Sequence, residues 1–172
     1  LRTDRTTDWF RFLVKILSIS APLPIQGHPT DEQAAAGCED EQARGVPLDA
    51  PHRNYKDRYS KPETVIALTN MRVLTGVRPA EQLKNLARAF NASWLADRAH
   101  LAPKELLTAI IRMPEPEAAQ AADQLAATAH KLAQTRRKAA PSVIDALELV
   151  NLVANKYPGD RGLLVAFVMN LV

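Results

Sequence analysis

The 172-residue sequence predicts an α+β chain in which short strands come first and an all-helical region follows, helix making up the majority. Two observations predict this. Up to Pro79, β-branched and aromatic residues gather in short runs punctuated by Pro, Gly and Asn. Beyond it the composition turns to Ala, Leu, Glu, Gln and Lys, with apolar residues three and four apart. That change divides the chain into residues 1–79 and 80–172, the first part carrying a helical and loop insertion over about 30–60.

The elements follow in order. In Phe10-Arg11-Phe12-Leu13-Val14-Lys15-Ile16-Leu17 the even positions are apolar, as a strand buried on one face requires, with Arg11 and Lys15 on the other face. A turn at Ala21-Pro22 leads into a second extended segment, Leu23-Pro24-Ile25-Gln26-Gly27-His28, ended by Pro29. Thr30 with Gln33 is a capping-box pair, so a helix is expected from about Asp31 to Arg44, stopping at Gly45. Val46–Ser60 lacks periodicity and reads as a long ordered loop, a kind of segment that is often functional. Glu63–Leu68 and Arg72–Val77 regain strand character and read as a hairpin turning near Asn70.

In the second part, Leu83, Leu86, Ala87 and Phe90 form one apolar stripe, and Leu106, Leu107, Ile110 and Ile111 form another behind the helix-starting Pro103. A long Ala-rich helix is expected after Pro116. A further one runs from Ser142 to about Lys156 with Leu147, Val150 and Val153 inward, and Pro158-Gly159-Asp160 breaks it.

Composition excludes several function classes. Lys+Arg 22 against Asp+Glu 19 leaves a formal charge of +3 spread along the chain, so no nucleic-acid surface is expected. The densest basic cluster, Arg136-Arg137-Lys138, reads as a solvated helix end. The single Cys38 excludes a disulfide framework and any Cys-rich zinc motif, and fits a cytoplasmic protein. The apolar runs Phe10–Leu17 and Leu163–Val172 fall short of the roughly 20 residues of a membrane span. Leu1-Arg2-Thr3-Asp4 is neither an initiator Met nor a signal peptide, and the chain stops within an apolar run, so a sequence cut at both ends is expected.

Side chains two apart on a strand share a face, so Gln26 and His28 project together, and Glu63 directly follows Lys61-Pro62. Imidazole, carboxylate and amide oxygen together suit zinc or another divalent ion. On spacing alone the bland alternative stays open, since Gln-x-His pairs arise by chance and Lys-Pro-Glu is commonly surface loop. Lys15 reads equally as a salt-bridging strand residue or a phosphate contact. His52, His100 and His130 have no ligand partner at useful spacing and read as ordinary polar residues. There is no Gly-rich phosphate loop, nucleophile elbow or His-Glu-x-x-His pair.

The order of the pieces is more specific. Phe12-Leu13-Val14-Lys15-Ile16-Leu17, Pro22-Leu23-Pro24-Ile25-Gln26-Gly27-His28-Pro29 and Lys61-Pro62-Glu63 together resemble type I mannose-6-phosphate isomerases. The resemblance extends through Gly45–Ala50, Arg53-Asn54-Tyr55-Lys56-Asp57, Ile66–Thr69 and Gly76-Val77-Arg78-Pro79, and resumes at Tyr157–Leu163. It implies a cupin barrel interrupted by an all-helical domain, of which this chain is an internal fragment with part of the barrel and the helical insertion. It further implies one zinc ion per chain, with Gln26, His28 and Glu63 as ligands and a fourth ligand, a His, beyond Val172. Lys15 and Lys61 match lysines lining the substrate pocket.

The implied reaction interconverts mannose 6-phosphate and fructose 6-phosphate through an enediol, in a complete protein expected to be a cytoplasmic monomer. The fragment alone is expected to be inactive. Lys61, desolvated beside a metal, is a candidate to share in proton transfer. Two departures support an alternative, a diverged cupin that binds metal or sugar without catalysis. Pro24 replaces a Ser that contacts substrate in the family, and Tyr59-Ser60 replaces Asn-His before Lys61-Pro62-Glu63.

Overall fold

Residues 13–134 and 139–172 are described by the computed structural model of the chain. The first helix, α1 (Asp31–Ala43), begins where the capping box places it. The Thr30 hydroxyl accepts from the Gln33 N–H, and the Thr30 N–H donates to the Gln33 amide oxygen at 3.0 Å. Asp31 and Glu32 in the first turn oppose the positive end of the helix dipole. The helix stops because Gly45 takes φ +70°. Gly45 N–H donates to Gln42 O and Val46 N–H to Glu41 O, the paired bonds of a Schellman ending.

Strand β1 (Leu74–Val77) leads into five helices: α2 (Ala80–Ala89), α3 (Ser93–Ala96), α4 (Pro103–Ile111), α5 (Glu115–Ala133) and α6 (Pro141–Lys156). Proline stands in the first turn of α4, α5 and α6, where its fixed φ suits the helix and its missing N–H costs nothing. After the break at Gly159, φ +69°, α7 (Gly162–Val168) runs straight into strand β2 (Met169–Leu171).

The main core lies among these helices. Leu83, Leu86 and Phe90 of the α2 stripe are buried with Leu106 and Ile110 of α4, Leu125 of α5, Leu147 and Val150 of α6, and Phe167 of α7. Phe167 is its centre: its ring meets Phe90 edge-on at 4.9 Å and 72°, and Trp94 at 6.4 Å. Each such side chain contributes on the order of 1.5–3 kcal/mol when fully buried. Val153 completes the expected inner face of α6, whereas Ile111, the last residue of α4, is exposed rather than part of its stripe.

The architecture is α+β with helix the majority, as expected, but the strand pairing differs from the expected hairpin. β1 pairs antiparallel with β2, Leu74 opposite Leu171 and Val77 opposite Met169. β1 carries an extra residue across that interval, and Gly76 at φ +64° absorbs it as a bulge. Val73 and Val172 extend the ladder by exchanging both backbone bonds, at 2.7 and 2.9 Å. Glu63–Leu68 therefore has no ladder with β1, and Leu13–Leu17 and Leu23–His28 likewise run without ladder partners among the described residues. Their apolar side chains, Val14, Ile16, Val65 and Ile66 among them, are exposed. The alternation marks strand-forming sequence, but a strand needs a neighbour to satisfy its backbone. Phe10, Arg11 and Phe12 at the start of the first expected strand, and Arg136-Arg137-Lys138, lie outside the described residues. Among the described residues no helix is long and apolar enough to cross a membrane.

Candidate metal centre and active site

Helix α1 organises the region that holds the expected site residues. On it Ala34, Cys38 and Glu41 stand four and three residues apart on one face, and all three are buried. The loop following α1 folds back over that face. Arg53, 6% exposed, donates from Nε to Tyr55 O at 2.9 Å and from Nη1 to Val46 O at 2.5 Å, and its Nη2 reaches the Cys38 sulfur at 3.7 Å. Glu41, 4% exposed, accepts from the Asn54 N–H at 3.0 Å and the Tyr55 N–H at 2.8 Å. Those two backbone donors hold the Glu41 carboxyl below its ordinary value; burial opposes them and Arg53 assists.

The same loop is tied to the other end of α1. Ser60 N–H donates to the Asp31 carboxylate at 2.9 Å, and Arg58 pairs with Glu39 at 2.8 Å on the surface. The Tyr55 ring packs against Gly37, where an added Cβ would stand 2.5 Å from the ring. An open cavity of about 620 Å³ lies here, with His28, Gln33, Gly37 and Tyr55 among its lining residues.

His28 and Glu63 come together at the N-terminal end of this arrangement. His28 Nε2 is 3.8 Å from Glu63 Oε2, both side chains being substantially exposed. Two ligands of a tetrahedral zinc, with bonds of about 2.0–2.1 Å, stand roughly 3.4 Å apart, so the pair fits a shared divalent ion in type and spacing. Gln26, two residues before His28, is exposed. Among the described residues no three of His, Cys, Asp and Glu gather into a metal cluster.

Lys61 is exposed and pairs with Asp57 at 3.0 Å. Burial raises the Asp57 carboxyl, but the hydrogen bonds from Lys61 and from Tyr59 N–H outweigh it and the net direction is downward. Lys15 is exposed on the first extended segment, and Pro24 on the second. Sequence reasoning passed over Glu41, Arg53 and Tyr55 as contributors to this site. The available signal was Glu41 itself, a charged residue in register with Ala34 and Cys38 on an otherwise small-residue face.

Comparison with known proteins shows what the chain is similar to. The family model described as phosphomannose isomerase type I, catalytic domain, matches residues 1–80. Mannose-6-phosphate isomerase of Escherichia coli K12 is 29% identical over 169 residues, covering 94% of this chain and 40% of its own length. The human enzyme is 42% identical over 72 residues, 42% of this chain and 15% of its own. Among solved structures, mannose 6-phosphate isomerase from Salmonella typhimurium, bound to its substrate fructose 6-phosphate and zinc, has a TM-score of 0.68 at 27% identity. The match covers 91% of this chain and 39% of that one. The apo form from the same organism gives the same values, and the chain spans about 40% of the length of the curated bacterial relatives it matches. The chain is similar along most of its length to the mannose-6-phosphate isomerases, and its residues 1–80 match the model of the type I phosphomannose isomerase catalytic domain.

Proposed function

We propose that the protein is a zinc-dependent aldose–ketose isomerase that interconverts mannose 6-phosphate and fructose 6-phosphate through an enediol. The observation that carries this is the approach of His28 to Glu63, 3.8 Å apart although 35 residues separate them, within the segment that matches the family's catalytic domain. Gln26, His28 and Glu63 hold the metal, which when bound polarises and orients the sugar oxygens. Residues 1–79 belong to a cupin barrel and 80–172 form the helical domain. Lys15 and Lys61 are the cations for the phosphate or the developing negative charge, Lys61 exchanging Asp57 for the ligand. A cytoplasmic setting accords with the free buried thiol of Cys38.

The test is coupled conversion of mannose 6-phosphate to fructose 6-phosphate by the complete protein, with and without chelator, beside Glu63→Ala. Chelator-sensitive turnover that the variant lacks is the expected result. A second reading, a diverged cupin that binds metal or sugar without turning it over, is favoured by Pro24, whose side chain offers no hydrogen bond where the family has a hydroxyl. Zinc binding without turnover would select it.

A further inference from the structure

We infer that Asp31 and Glu41 are positioning residues of the candidate metal centre: two carboxylates of one helix that fix the returning loop so that Glu63 arrives beside His28. The inference rests on the zinc-site reading above and goes beyond it by naming what assembles the site.

The argument is one of chain path. His28 stands two residues before Thr30, the cap of α1, and Glu63 stands three residues after Ser60. Between these points the chain travels along α1 and back, so the two ligands meet only if the return path is fixed. It is fixed twice. At the far end the buried Glu41 accepts the N–H groups of Asn54 and Tyr55, and Arg53 closes the turn onto Val46 O and Tyr55 O. At the near end the Asp31 carboxylate accepts Ser60 N–H at 2.9 Å, between the two ligands in the chain. Both ties bind loop backbone, so they set where the main chain runs whatever side chains the loop carries. Gly37 lets the Tyr55 ring lie against the helix, which seats the loop closely enough for the Asp31 bond. Each carboxylate acts through the loop, as outer-shell groups of a metal site do.

The experiment measures zinc affinity, by competition with a chromophoric chelator, and backbone hydrogen exchange in the complete protein and four variants. Asp31→Ala removes the near tie at an exposed first-turn position, and Asp31→Asn removes the charge but keeps an acceptor oxygen. Glu41→Gln weakens the far tie, and Arg44→Ala breaks only the surface pair with Asp40 on the same helix. We expect Asp31→Ala and Glu41→Gln to weaken zinc binding about tenfold or more. Asp31→Asn should restore most of the affinity, and Arg44→Ala should leave it unchanged. Exchange should quicken at Ser60 in the first variant and at Asn54 and Tyr55 in the third, with the α5 and α6 amides unaffected. Quickened exchange with unchanged zinc affinity overturns the inference, leaving ties that shape a loop and nothing more. Unchanged exchange in Asp31→Ala overturns it as well. Should Glu41→Gln fail to fold, Asp31→Ala and its Asn rescue decide the matter alone. A wild-type protein that takes no zinc sinks the metal reading itself, and that failure is told apart because it precedes any variant.

Discussion

The hydroxyl of Tyr157, the residue that ends α6, donates to the carbonyl of Pro22 at 3.0 Å, a bond between groups 135 residues apart. It fastens the extended segment bearing Gln26 and His28 to the helical half of the chain. Tyr157→Phe deletes that donor and keeps the ring. A loss of about 0.5–1.5 kcal/mol is expected, read as a fall of a few degrees in Tm. Limited proteolysis should quicken between Leu23 and His28, while hydrogen exchange in α5 stays as it was.

Phe167 holds the helical core together through its contacts with Phe90 and Trp94. Phe167→Ala should cost about 3–5 kcal/mol, since it removes a fully buried ring from a packed site. Urea unfolding checks this: the midpoint falls and the slope holds if the native core stays compact. Ile111→Ala, at an exposed position of the neighbouring helix, should change stability by less than about 0.5 kcal/mol in the same measurement.

Acid should release the loop after α1. The Glu41 carboxyl is held below its ordinary value by the Asn54 and Tyr55 N–H groups, so its folded-state value lies under that of the unfolded chain. Its stabilisation is then complete above about pH 4.3, the ordinary value for a glutamate, and is lost as the pH falls through the depressed one. Limited proteolysis by an acid-active protease should cut between Val46 and Ser60 only in that lower range. Glu41→Gln should allow cutting above that range as well.

Pro24→Ser restores a hydroxyl two residues before Gln26. If the isomerase reading holds, the substrate KM should fall roughly two- to tenfold, the worth of one hydrogen bond, with zinc affinity unchanged. Steady-state kinetics of the two proteins, at equal zinc occupancy, makes the comparison. A KM that does not move would show that the substrate does not reach position 24.

How much of this could be read from the sequence depended on the range of each interaction. The capping box at Thr30 and Gln33 involves residues three apart, and the stripe from Leu83 to Phe90 repeats within two turns, so both are written locally. The pairing of β1 with β2 joins residues about a hundred positions apart, and a local pattern search offers Glu63–Leu68 as the nearer partner. Ile111 fits the α4 stripe by count but stands in its last turn, where no neighbouring element covers it. The site divides in the same manner. Gln26, His28 and Glu63 carry their chemistry in their residue types, and family resemblance named them. Glu41 acts on backbone N–H groups of the returning loop and Arg53 on carbonyls within that loop, and no residue type announces where those atoms lie.

The β1–β2 pairing has a consequence for protein engineering. Val73 and Val172 face each other across one ladder rung, so everything between Val77 and Met169 departs from and returns to almost the same point, with Cα atoms about 5 Å apart across the strands. A segment with such a narrow neck can be exchanged without stretching what it is attached to. The helices could be replaced by a two-residue hairpin turn, or by an unrelated domain whose ends lie equally close, and the flanking strands would keep their register.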